Sequence, residues 1–125
     1  MKVYNGVDHP VNIVVGAVPH PVKRKLYGGE IVRSYPQNKR LDAGISYIQV
    51  GTLEDGTPEY DRVIDSCDPL PDGDWDIIIV SPLYAQAYTA EHGDDPRLRL
   101  VCQPVMDGDM RSILGCVGLI PYMRG

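Results

Sequence analysis

The sequence predicts an α+β fold, a small β-rich domain with one prominent helix packed on a mainly antiparallel sheet, and three observations lead there. The apolar runs are short and dominated by β-branched residues. Only one segment combines helical spacing with a start and a stop signal. The 13 glycines and 11 prolines are dispersed along the whole chain, so they punctuate many short elements without forming a linker.

Val11 to Val15, Ile45 to Val50, Asp76 to Val80, Leu98 to Cys102 and Ser112 to Ile120 read as strands. Ile77 to Val80 are apolar at both parities, the pattern of a central strand covered on both faces. Ser81-Pro82 then supplies an N-cap and a proline at the first helical position, where its missing N–H costs nothing. Leu83, Ala87 and Ala90 recur at helical spacing, Tyr84 and Tyr88 lie one turn apart, and Gly93 is placed to stop the helix, which is predicted over about 82–91. Glu54 to Pro58 and Asp68 to Asp74 are turn chemistry. With no internal repeat, residues 1–125 form a single domain, long enough to bury roughly two thirds of its unfolded surface.

Composition narrows the function classes. The three cysteines, Cys67, Cys102 and Cys116, are odd in number and widely spaced, which predicts a reduced, cytoplasmic setting and no zinc motif. Asp8, His9 and Pro10 interrupt the first residues before a signal-type apolar run can form, and nowhere do about 18 apolar residues follow one another, so no membrane partner is expected. Twelve basic against 17 acidic residues give a net charge of −5, which disfavours long nucleic acid as a partner but leaves small anions open, since a pocket needs only local positive charge.

Several residues could carry chemistry. Gly115 and Gly118 lie inside a predicted strand, where glycine often marks the close approach of a ligand or another backbone. Arg111, at the entrance of that strand, could grip a phosphate bidentately; spacing alone favours an ion pair with Asp107 or Asp109. Ser81 opens the helix whose free N–H groups form a generic anion site. Tyr84 and Tyr88 could stack a nucleobase, with core packing the more natural reading for Tyr88. Lys23-Arg24-Lys25, with Arg33, Lys39 and Arg40, concentrates half of the positive charge, either lining an anion pocket beside Tyr27 and Tyr35 or offsetting the acidic loops. His9, His20 and His92 have no metal-ligand spacing, no cofactor motif occurs, and no catalytic constellation suggests an enzyme.

Three blocks together resemble a known phage family. They are Tyr4-Asn5-Gly6 followed by His9 and a short β run; Asp68-Pro69-Leu70-Pro71 with Asp76-Ile77-Ile78-Ile79-Val80-Ser81 and Leu83-Tyr84-Ala85; and Ser112-Ile113-Leu114-Gly115-Cys116. The family is the first-described Thoeris anti-defence sponges. The resemblance implies a nucleotide-sequestering protein, acting in the cytoplasm of an infected bacterial host, that binds cyclic ADP-ribose isomers made by TIR-domain immune enzymes and does not cleave them. It also implies assembly as a hexamer and, for some members, binding of CBASS cyclic di- or trinucleotides at a separate site. By the same resemblance Arg111 contacts the ligand's pyrophosphate and Tyr84 stacks against adenine. The chain departs from the family pattern at Val117, where a second arginine is expected; Arg97, Arg99 or Arg124 would have to substitute, or the other ligand class is preferred. Two further readings compete with the sponge: a cyclic-nucleotide hydrolase using some of the aspartates, and a phage protein-interaction module with no small ligand.

Overall fold

The computed structural model describes residues 1–122. The strands β1 (Val3–Asn5), β2 (Val11–Val15), β3 (Val18–Pro19), β4 (Leu26–Tyr27), β5 (Glu30–Tyr35), β6 (Ala43–Thr52), β7 (Pro58–Cys67) and β8 (Ile77–Ile79) precede the helix α1 (Pro82–His92), and β9 (Leu98–Met106) and β10 (Ile113–Pro121) follow it. The fold is α+β and β-rich, as expected. One sheet follows the order β1-β8-β9-β10-β2-β5, with β4 flanking β9 and β3 flanking β4, while β6 and β7 form a separate two-stranded sheet. Its parallel ladders, such as β1–β8 and β8–β9, are short; the long ladders, β9–β10, β2–β5 and β6–β7, are antiparallel.

The predicted central strand is β8, flanked by β1 and β9. Its two faces feed two cores. Ile78 and Val80 pack with Tyr4, Leu41, Leu98, Tyr84 and Ala85 under the helix. Ile79 packs with Val11 and Cys116 on the other face. This arrangement explains the unbroken apolar run, since Ile78, Ile79 and Val80 are all buried and Ile77 is partly so.

The helix starts and stops where its signals lie. The Ser81 side chain accepts from the Tyr84 N–H at 3.1 Å, and Gly93 takes a positive φ of 84° while its N–H returns to the Thr89 carbonyl at 2.9 Å.

The main sheet is curled, and one buried asparagine holds its two ends together. Asn5 on β1 accepts from the Asn38 N–H at 2.9 Å, and its side-chain amide donates to the carbonyls of Tyr35, at the end of β5, and His9, each at 3.0 Å. A second crossing uses Gly28 and Gly29, both at positive φ. Gly28 donates to Met106 of β9, and two residues later Glu30 already pairs with Val15 of β2. A Cβ on Gly29 would lie 2.6 Å from the Val15 carbonyl oxygen, so only glycine passes there.

Five strands carry no sequence signal, and two of them, β3 and β4, have only two residues each. β7, Pro-Glu-Tyr-Asp-Arg-Val-Ile-Asp-Ser-Cys, is exposed along almost its whole length, so nothing selects an apolar parity. β5 is the exposed edge of the sheet, and β1 has only three residues. The predicted Glu54–Pro58 turn is the tip of the β6–β7 hairpin, where Leu53 donates to the Thr57 carbonyl at 2.8 Å and the Asp55 carboxylate accepts from the Thr57 N–H at 3.0 Å. Among the described residues no helix is long and apolar enough to cross a membrane.

Candidate ligand site

The connection from β9 to β10 is a tight polar turn built by its own acidic residues. Asp107 N–H donates to the Ser112 carbonyl at 2.9 Å, Met110 N–H to the Asp107 carbonyl at 3.0 Å, and Met110 adopts a φ of 63°. The backbone N–H of Arg111 donates to the carboxylates of Asp107 at 3.1 Å and Asp109 at 3.0 Å, and the Ser112 hydroxyl donates to Asp107. A hydrogen bond shared with the Asp109 carboxyl, then those from Ser112 and the Arg111 backbone, hold the Asp107 carboxyl down at about 2.

This geometry overturns the ion pair that spacing alone favours for Arg111. Both aspartates are engaged with backbone and hydroxyl donors, and the exposed Arg111 guanidinium has no ion-pair or hydrogen-bond partner among the described residues. An unpaired guanidinium held on an ordered turn is available to an anion.

Two residues beyond Arg111, β10 enters the wall of a cavity of about 360 Å³, lined by Ile113 to Cys116 of β10, His9 to Asn12 at the start of β2, and Val101 and Pro104 of β9. Its volume falls within the range of roughly 300–1,000 Å³ typical of small-molecule sites. The lining is largely apolar, with His9 and Asn12 as polar groups. The His9 ring lies 2.8 Å from the Pro10 carbonyl, and the Asn12 amide bridges the Leu114 carbonyl at 3.3 Å and the Ser34 hydroxyl at 2.7 Å. Gly115 is the close approach that its sequence position suggests: a Cβ there would stand 2.3 Å from the Asn12 carbonyl oxygen, so the neighbour is the β2 backbone. Gly118, by contrast, faces open space.

Cys116 also lines this cavity, but its chemistry is not that of a nucleophile. Burial pushes the thiol up, and it lies 3.5 Å from the Gly118 carbonyl, to which it donates. A reactive cysteine needs the opposite environment, one that favours thiolate.

The other expected site residues are dispersed. Tyr84, expected to stack on a nucleobase, is 0 % exposed, and its hydroxyl donates to the Asp68 carbonyl at 2.7 Å. Both ring faces belong to the core, because the first turn of α1 lies directly over β8; this expectation is corrected. Burial raises the Tyr84 phenol well above its ordinary value. Tyr88, assigned to the core on sequence grounds, is only partly buried and lies between Tyr84 and His92.

Ser81 is the helix cap. Its hydroxyl occupies the Tyr84 N–H, its carbonyl occupies the Ala85 N–H, and Pro82 has none to offer, so of the first helical N–H groups these leave only that of Leu83. The adjoining cleft also contains Asp8 and Asp42, which clasp Arg40.

Arg24 lies in the connection from β3 to β4 with a φ of 52°, and Arg33 is on the exposed edge strand β5, opposite Ile13. Neither makes an ion pair among the described residues. The basic segment is therefore divided among separate elements.

Val117, where the family pattern has a second arginine, lies inside β10, whereas Arg111 belongs to the turn before Ile113, and a register irregularity lies between Ile113 and Gly115. Arg97 is no substitute, since its guanidinium is bidentate to Asp95 at 3.0 and 2.8 Å, and Arg99 donates to the carbonyls of Pro96 and Leu98. Arg124 lies outside the described residues.

The cavity residues His9, Asn12 and Pro104 escaped the sequence reading as a group, because the segment entering β2 and strand β9 meet only through the fold. Only the Gly115 signal pointed toward them. Elsewhere, the one group of side chains among the described residues that could hold a cation is Cys67, Glu91 and His92.

Searches of protein-family models, curated proteins and solved structures found no match to this chain.

Proposed function

We propose that this protein is a phage anti-defence sponge. It captures a cyclic immune signalling nucleotide, a cyclic ADP-ribose isomer or a cyclic di- or trinucleotide, and releases it uncleaved, in the cytoplasm of an infected bacterial host. The observation that carries this reading is the Arg111 turn beside the 360 Å³ cavity. An unpaired guanidinium two residues before the strand that walls an apolar recess suits a molecule that combines phosphate with a planar base. The block Ser112-Ile113-Leu114-Gly115-Cys116, one of the two more specific blocks of the resemblance to Thoeris sponges, follows Arg111 and supplies Ile113 to Cys116 of the cavity wall. Burial disfavours the thiolate of Cys116, so this cysteine offers no nucleophile at the cavity wall.

The reading is tested by titration calorimetry of the full chain with cyclic ADP-ribose isomers and, separately, with cyclic di- and trinucleotides. Saturable binding at micromolar concentration or tighter is expected for at least one of them. Absence of binding to all of them at that concentration excludes the sponge and favours the interaction module.

Self-association into a homo-oligomer, six copies by the resemblance, belongs to the same proposal. β6 has ten residues with no charge and no proline, pairs only with β7, and exposes Tyr47, Ile48 and Val50. β7 is protected by Glu59, Asp61, Arg62 and Asp65. An isolated hairpin is marginal in water, and an uncharged free edge is a template for another strand. A second copy is the occupant that suits it, since two β6 edges meet without like charges. Sedimentation equilibrium is expected to show an oligomer that Ile48→Lys dissociates. A wild-type chain that stays monomeric at tens of micromolar contradicts this.

A further inference from the structure

Cys67 is the last residue of β7, while Glu91 and His92 close α1. Folding brings these two ends together. Cys67 Sγ lies 3.6 Å from Glu91 Oε2, and His92 Nε2 lies 3.8 Å from Glu91 Oε1. One donor atom from each of the three residues lies within 4.8 Å of the other two. We propose that these three side chains form a binding site for a divalent transition-metal cation, zinc above all, which ties the base of the β6–β7 hairpin to the end of the helix.

Tetrahedral zinc, with bonds of about 2.0–2.3 Å, holds neighbouring ligand atoms roughly 3.3–3.7 Å apart. The observed separations need only small rotations of Glu91 and His92, which are exposed and free to make them. The donor set is selective. Thiolate and imidazole suit zinc and its neighbours, whereas calcium and magnesium prefer oxygen alone. The helix C-terminus adds a negative dipole end that favours a cation. Tyr88 packs against the His92 ring at 4.6 Å between centroids and limits its orientations.

Three protein ligands leave a fourth position, the arrangement of an open zinc site. A cleft of about 340 Å³ between β7 and α1, lined by Ile64, Asp65, Ser66 and Glu91 among others, gives water or an anion access to it. No spacing motif marks the site, because position 67 and positions 91–92 meet only through the fold.

The test uses the full chain, stripped with a chelator and kept reduced, titrated with Co²⁺ and then with Zn²⁺ against a chromophoric indicator. One cobalt per chain is expected, with the intense near-ultraviolet thiolate-to-cobalt band, displaced by zinc. Cys67→Ser is expected to abolish the band, and His92→Ala to weaken zinc binding at least tenfold. Cys102→Ser is expected to leave both unchanged. His92 is exposed at a helix end, so its variant reports on binding even if Cys67→Ser is poorly folded. No thiolate band in the wild type, a band that survives Cys67→Ser in folded protein, or unchanged zinc affinity in His92→Ala overturns the proposal.

Discussion

Replacing Arg111 with alanine is expected to weaken nucleotide capture by about tenfold to over a hundredfold, the loss of one charge-assisted hydrogen-bond anchor of roughly 1.5–3 kcal/mol. The melting temperature should barely move. The turn is built on the backbone N–H of Arg111, which alanine keeps, and the guanidinium has no partner within the described residues. A surface substitution of this kind changes stability by no more than about 0.5 kcal/mol. Calorimetry and thermal denaturation on the same preparation separate the two quantities. A large fall in stability together with affinity would make Arg111 a structural residue.

Tyr84→Ala should do the reverse. Removing a fully buried aromatic ring from the core under the helix costs about 3–5 kcal/mol, a large share of the roughly 5–15 kcal/mol that holds a domain together. Tyr84→Phe is the milder companion. It keeps the ring but leaves the Asp68 carbonyl without its donor, at a cost of about 1–3 kcal/mol. Denaturant unfolding measures both. If Tyr84→Ala kept its stability and lost only ligand affinity, the ring would belong to the nucleotide site after all.

These two residues show where sequence reasoning works and where it stops. The helix was legible because its signals are local: Ser81 and Pro82 start it, and Gly93 ends it. β8 was legible because burial on both faces leaves an unbroken apolar run. β7 was not, since a strand wet along most of its length carries no pattern for burial to write. The same distinction governs the site. Gly115 announced a close approach, but only the fold shows that the β2 backbone is what approaches.

Arg111 and Tyr84 were ranked by residue type and resemblance, which carry no information about exposure. The fold separates them, leaving the arginine side chain unpaired and filling the core with the tyrosine. Position 117, where the resemblance expects a second arginine, lies within β10, separated from the Arg111 turn by the irregularity at the start of that strand. Arg97 and Arg99 are already committed to Asp95 and to backbone carbonyls, so neither supplies a second anchor.

The central claim is capture without cleavage, and one measurement addresses it directly. The protein is incubated with a slight substoichiometric amount of the nucleotide that binds best, the complex is denatured by heat, and the released small molecule is identified by chromatography and mass spectrometry. Quantitative recovery of the intact cyclic nucleotide is the result expected of a sponge. Recovery of a linear or hydrolysed product in its place would contradict the account and make the protein a cyclic-nucleotide hydrolase.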